Sequence, residues 1–173
     1  VWGRGCVADA ADTPFEADDS LNRRTLESYL EFTVEDGYHG VVMPVMDSEY
    51  QSLTDEERRT VFDITTRIVD NRIPTVAGVT GVSNIHSIEL AKYAQGAGFD
   101  SVIAMPPHSM APSTQEVLTF FEQLSYALEI PTWIQNHSGG APLSAAQLPQ
   151  LCENTDNVNY VKKETAFPVQ LTT

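Results

Sequence analysis

The stretch GVVMPVMDSEYQSLTDEER, residues 40–58, holds a strand, a loop and a helix start in one line. GVVMPV (40–45) is apolar and β-branched, the composition of a strand covered on both faces. A polar loop follows with Asp47, Ser48 and Glu49. Thr54 and Glu57 then stand at the spacing of a capping box, in which a hydroxyl and a carboxylate satisfy free amide groups at a helix start. The order recurs along the chain. Apolar runs lie at PTVAGV (74–79), DSVIAM (100–105), PTWIQN (131–136) and NVNYVK (157–162), with a weaker run, GCVADA (5–10), ahead of them. Ser113 with Glu116 and Ser144 with Gln147 fit two more capping boxes. A first helix from about Leu21 to Asp36 puts Leu26, Tyr29, Leu30 and Val34 on one face. Gly37 and Gly98 read as helix stops, and Asn71 and Pro74 bracket the end of the second helix.

Strands that alternate with helices predict an α/β fold with a parallel sheet. An open nucleotide-binding sheet should carry a glycine-rich first turn, yet the chain has neither G-x-G-x-x-G nor a P-loop lysine motif. Polar residues instead follow several strands: Asp47, Ser48 and Glu49; His108 and Ser109; Gln135, Asn136 and His137; Lys162 and Lys163. A site assembled from many strand ends suits a (β/α)8 TIM barrel. A whole barrel takes about 250 residues, and this chain has 173. The expectation is a single barrel domain over 1–173 holding about six of the eight strands, truncated at its C-terminal end.

The formal charge of −14 argues against nucleic acid or an anionic membrane as partner, since both need a basic footprint. An apolar fraction of 42% and a charged fraction of 20% are those of a soluble globular protein. Two cysteines without metal-type spacing suggest a reducing, cytoplasmic compartment. No apolar segment is long enough for a membrane helix, and no signal peptide is visible. The histidines form no H-x-x-x-H or H-E-x-x-H pattern, so no metal is expected, and no nicotinamide or flavin motif occurs.

The last run, NVNYVKKET (157–165), ends a buried strand on two lysines. Removing an ammonium from water is costly. Strand alternation sends Lys162 and Lys163 to opposite faces, so one at most enters a barrel readily.

TPF (13–15), GVVMPVMDSEYQSLTDEER (40–58), RIPTVAGV (72–79), AKYAQGAGFDSVIAMPP (91–107), IPTWIQN (130–136) and NVNYVKKET (157–165) together resemble the dihydrodipicolinate synthase / N-acetylneuraminate lyase family of class I aldolases. The resemblance covers nearly the whole chain. It implies a (β/α)8 barrel, a homo-oligomer (tetramer or dimer), a small 2-oxo acid as substrate, and no cofactor beyond a lysine that forms a Schiff base. The N-[IV]-x-x-[IV]-K pattern puts that lysine at Lys162, with Lys163 one register away. A neutral amine attacks a ketone, and the resulting iminium withdraws electrons from the adjacent bond. Burial lowers an amine's pKa and keeps part of it nucleophilic.

The departures narrow the family. Its best-known members carry G-T-T-G-E where this chain has Val45, Met46, Asp47, Ser48 and Glu49. Gln135 stands where they place an acid/base tyrosine, and Pro106, Pro107 and His108 replace P-Y-Y. NHSGGAPLS (136–144) lacks the arginine of the lysine-pathway enzymes. These changes argue against lysine biosynthesis and sialic acid cleavage. IQ, MPP, SE and Y-x-K-x-E-T instead resemble the 2-keto-3-deoxy-pentonate (L-arabonate type) dehydratases. Acid/base work then falls to water, Glu49, His108 or Glu164, with Gln135 beside the lysine; imidazole titrates near neutrality. Ser48, Asp47, Asn136 and Thr165 are the candidate substrate-binding residues. Ser48 and its neighbouring amides suit a carboxylate better than Asp47 does, and Asn136 also fits the fixing of its own loop. Glu164 reads equally as a partner for Lys163. Trp133 and Tyr160 read as packing, His39 and His86 as structural, and Glu56, Glu57 and Arg58 as a solvated helix start.

The leading expectation is a Schiff-base dehydratase of a 2-oxo-3-deoxy sugar acid. A class I aldolase releasing or condensing pyruvate is the alternative, and a catalytically inactive metabolite-binding relative is the third.

Overall fold

The structure, a computed structural model, describes residues 7–107, 112–137 and 143–164. The chain forms two compact units: Val1–Gly78 with Gly96–Asp100, and Val79–Gln95 with Ser101–Thr173.

In the first unit, strands β1 (Asp9–Ala10), β2 (Val41–Met43) and β3 (Thr75–Gly78) pair in parallel, in chain order. Helix α1 (Arg23–Glu35) connects β1 to β2, and α2 (Asp55–Val69) connects β2 to β3. Each helix has a capped start. The Asn22 side chain accepts from the Thr25 amide, and Thr54 forms the full reciprocal box with Glu57. Gly37 follows α1 at φ +82, the left-handed conformation that glycine adopts without a Cβ penalty. The expected end of α2 differs in detail: Asp70 and Asn71 both turn left-handed, at φ 45 and 58. Short Asn and Asp side chains tolerate that conformation better than most.

The face expected for α1 is the buried one. Leu26 and Leu30 are fully buried with Val41, Met43 and Val61, and Tyr29 and Val34 pack partly against them. Arg67 of α2 pairs with Glu27 of α1, and Arg72, in the turn after α2, makes a bidentate bridge to Glu31 at 2.7 Å for each bond. Asp100 stitches the start of β3, accepting from Thr75 N at 2.8 Å and Thr75 Oγ1 at 2.9 Å.

In the second unit, β4 (Ser101–Ala104), β5 (Thr132–His137) and β6 (Val158–Glu164) also pair in parallel. Helix α3 (Asn84–Ala97) precedes β4, α4 (Thr114–Tyr126) connects β4 to β5, and α5 (Gln147–Glu153) connects β5 to β6. Gly98, at φ +98, ends α3 as expected. Ser113 and Glu116 complete their box at the start of α4. The third box is only half built. The Gln147 carboxamide accepts from Ser144 N at 2.8 Å, but the helix starts at Gln147 and its N-cap is Ala146, two residues past Ser144, with no side-chain cap. His86 Nδ1 accepts from the Val82 amide before α3, and His39 Nδ1 accepts from the Val7 amide, so both take backbone bonds.

Candidate functional site

Strands β5 and β6 do not run in simple step. Thr132 is level with Val158, but Trp133 is level with Tyr160, so Asn159 is skipped. This bulge shifts every later pair by one. Gln135 therefore stands beside Lys162, Asn136 beside Lys163, and His137 beside Glu164. Trp133 and Tyr160 stack at 4.5 Å and 22°, and the Trp133 indole N–H donates to Ser101 Oγ at 3.1 Å. The packing role expected of these rings holds, and they anchor the shifted register.

Alternation beyond the bulge divides the two lysines. Lys163 lines a cavity of about 350 Å³ with Leu143, Ala145, Leu148, Pro149, Cys152 and Val161, on the side where α5 packs. Lys162 faces the other way, with Gln135 and Glu164. Its Nζ lies 2.8 Å from Glu164 Oε1, and Gln135 Nε2 donates to Glu164 Oε2 at 2.7 Å. Glu164 thus pairs with Lys162. The expectation of a Lys163 partner is corrected: residues two apart on a strand share a face, and adjacent residues do not.

Lys162 and Glu164 are about one-third exposed, which leaves the amine reachable. Desolvation is the largest influence on Glu164 and would raise its pKa. The hydrogen bonds from Lys162 and Gln135, with the charges of Lys162 and His137, outweigh it and hold the carboxyl below its ordinary 4.5. A carboxylate depressed in this way adds stability above the usual glutamate range, and the contribution is lost as pH falls through its folded value. Two outcomes follow. Glu164 should titrate below 4.5 by carbon-detected NMR, and its midpoint should rise in Lys162→Ala, where desolvation persists and two opposing influences disappear.

Asn136, beside Lys163 in register, is buried and serves its own loop. Its Nδ2 donates to Leu143 O and its Oδ1 accepts from Leu143 N, both at 2.9 Å. A side-chain amide here imitates a strand neighbour and closes the loop that leads to α5. Asn136→Ala should orphan a buried N–H and a buried C=O and lower stability by about 2 kcal/mol in a urea melt.

The loop after β2, in the first unit, carries Asp47, Ser48 and Glu49. Asp47 and Glu49 are exposed. Ser48 is fully buried; its Oγ donates to Ala11 O at 2.5 Å, and its carbonyl accepts from Thr13 Oγ1 at 2.6 Å. The Ser48 hydroxyl proton is thus committed to the main chain after β1. Thr13 of the TPF stretch, not singled out from sequence, is the other half of this clasp. Glu49 is left-handed at φ 52 and opens the 3-10 turn Tyr50–Ser52. Arg58 is a second correction. Expected as part of a solvated helix start, it is 3% exposed. Helical periodicity held the signal, because Arg58 lies three and four residues before the buried Val61 and Phe62.

His108 and Thr165, the two remaining candidates, lie outside the described residues. Among the described residues, no group of three His, Cys, Asp or Glu could hold a metal ion, and no helix is long and apolar enough to cross a membrane.

Among the described residues, each unit holds three parallel strands, every strand after β1 is led into by a helix, and β6 carries a lysine near its end: the class is α/β, in the strand–helix order of a (β/α) barrel. The chain belongs to the Dihydrodipicolinate synthetase family, whose profile matches residues 5–170. It is similar to the 4-hydroxy-tetrahydrodipicolinate synthase of Bartonella bacilliformis, with 29% identity over 155 residues, 88% of this chain and 53% of the relative. Among solved structures it is similar to dihydrodipicolinate synthase from Aquifex aeolicus, with a TM-score of 0.91 and 21% identity, over 96% of this chain and 57% of that one. It is likewise similar to the chloride-inhibited dihydrodipicolinate synthase of Acinetobacter baumannii complexed with pyruvate. That likeness has a TM-score of 0.85 and 27% identity, over 91% of this chain and 54% of that one. The chain spans about half the length of the curated relatives it matches.

Proposed function

We propose that this chain belongs to a Schiff-base-forming lyase of 2-oxo acids, with Lys162 as the amine, and that its reaction is dehydration of a 2-oxo-3-deoxy sugar acid. The observation that supports this reading is the Lys162–Glu164–Gln135 cluster. Lys162 must lose a proton before it attacks the 2-oxo carbon; the Glu164 carboxylate at 2.8 Å holds the amine in place, and the proton passes to solvent. Attack forms the C–N bond. Loss of the former carbonyl oxygen as water leaves an iminium. A proton then leaves C3, its bonding pair forms the enamine, and the enamine expels the hydroxyl on C4. That hydroxyl departs as water once a proton reaches it, and water then adds to the resulting unsaturated iminium, which breaks the C–N bond, frees the oxo acid and returns the Lys162 amine. Gln135 exchanges no proton under these conditions, but it donates to Glu164 and fixes the carboxylate beside the amine.

The test is incubation of the full-length protein with pyruvate, and separately with 2-keto-3-deoxy-pentonates, followed by borohydride and mass mapping. An adduct on Lys162 supports the Schiff base, and one on Lys163 moves the amine to the opposite face. Without an adduct in folded, full-length protein, the metabolite-binding reading replaces this one. A second reading keeps the amine and makes or breaks a carbon–carbon bond with pyruvate. It is favoured by the pyruvate bound to the Acinetobacter relative. Products separate the two: the aldolase releases or consumes pyruvate, whereas the dehydratase releases water and a longer oxo acid.

A further inference from the structure

The face of β5 and β6 that carries Lys162 holds one more group able to move a proton. Beyond the bulge the two strands keep step. Trp133, Gln135 and His137 of β5 stand level with Tyr160, Lys162 and Glu164 of β6, and strand alternation puts all six on one face. His137 is the neighbour of Glu164, and its charge is one of the influences on the Glu164 carboxyl. It is half-buried, so it stays open to a bound molecule.

Dehydration needs a proton at the C4 hydroxyl, because hydroxide is a poor leaving group. Among the described residues of this face, the other groups do not suit that task. Gln135 exchanges no proton. Lys162 is held in the iminium in the proposed reaction. Glu164, held below its ordinary 4.5, is ionised at neutral pH and has no proton to give. Tyr160 lies on the far side of Lys162 from Glu164, stacked on Trp133 towards the start of the strands. An imidazole both takes up and releases a proton near neutrality. The spacing agrees with the chemistry. Two residues along a parallel strand span about 6.6 Å. A hydroxyl on C4 is separated from the lysine nitrogen by C2, C3 and C4, so a substrate chain that runs towards the strand ends brings this hydroxyl to the level of His137.

We propose that His137 is the general acid of the dehydration: its imidazolium N–H gives a proton to the C4 hydroxyl of the substrate held on Lys162. The C4–O bond then breaks and water leaves. The enamine's double-bond pair moves between C3 and C4, and the nitrogen lone pair restores the iminium. The neutral imidazole regains its proton from solvent. The proposal rests on the dehydratase reading given above.

The experiment compares full-length wild type with His137→Gln and His137→Asn on two substrates. One is a 2-keto-3-deoxy-pentonate. The other is 4-chloro-2-oxobutanoate, whose chloride leaves without a proton. His137→Gln should lower kcat for the pentonate about 100-fold or more. Chloride release and borohydride trapping of pyruvate, which need no acid at C4, should stay within about threefold. His137→Asn carries the same expectation if His137→Gln does not fold. An equal loss with both leaving groups overturns the proposal, because a group that only shapes the site affects hydroxide and chloride alike. Unchanged turnover of the pentonate overturns it as well. A wild type that traps pyruvate but neither dehydrates the pentonate nor releases chloride sinks the dehydratase reading itself, and the proposal with it.

Discussion

Lys162→Ala is expected to abolish borohydride trapping and to lower turnover of any 2-oxo acid substrate by at least about 1,000-fold. The reason lies in the covalent step proposed for this lysine. Without an amine there is no iminium, and no neighbouring group can supply the same sink for electrons. Lys163 cannot substitute, because it projects to the face covered by α5 and lines a largely apolar cavity there. Lys163→Ala should therefore leave trapping at Lys162 intact. The effect on folding should be small, since the Lys162–Glu164 pair is about one-third exposed and solvent screens it. Melting curves of wild type and Lys162→Ala should nearly coincide while turnover separates them. A Lys162→Ala protein that still traps substrate would remove the lysine from the mechanism.

Gly78→Ala carries the largest expected loss of stability. The new Cβ would lie 1.7 Å from Pro44 O, 2.7 Å from Pro44 C and 3.1 Å from Val45 Cγ1. The first two obstacles are main chain, which cannot rotate away like a flexible side chain. Accommodation means pushing the end of β3 from the end of β2, and that also pulls Gly78 O from Arg58. The expected loss is about 3 kcal/mol or more, at the upper end for overpacked sites. Gly96→Ala is the contrasting control. Gly96 lies inside α3 with nothing within 4 Å of a new Cβ, so alanine there should gain up to about 1 kcal/mol through helix propensity. Urea unfolding of the two variants beside wild type checks both signs. Equal midpoints would mean that the β2–β3 junction yields more easily than its geometry implies.

Much of the fold was legible because its signals are local. A capping box needs residues three apart, a helix face needs repeats at three and four, and a left-handed stop favours glycine. Thr54 with Glu57, Leu26 with Leu30, and Gly37 all act through chain neighbours, and each behaves as expected. Where a signal was incomplete, the structure departed: Ser144 has the right partner at Gln147, but no hydroxyl cap forms. The site was legible in its residue types more than in its contacts. Ser48 and Asn136 have the polarity of substrate ligands, yet both turn inward to main-chain atoms. A polar side chain after a strand serves a loop as readily as a ligand.

The sequence alone determined the order of strands and helices, the class of fold, the family, and the separation of Lys162 from Lys163 to opposite faces. All of these follow from periodicity and from motifs read along one chain. The resemblance implied Gln135 near the lysine, but only the tertiary structure decided the register that sets it level with Lys162. Without the skipped Asn159, continued pairing from Thr132 and Val158 would set Gln135 beside Val161 and leave Lys162 beside Asn136. Register between strands depends on where the Trp133 and Tyr160 rings stack, and no repeat within one strand encodes that. Arg58 was settled in the same way, for its partners Tyr50 and Gly78 come from either side of α2 and meet only once β3 is in place.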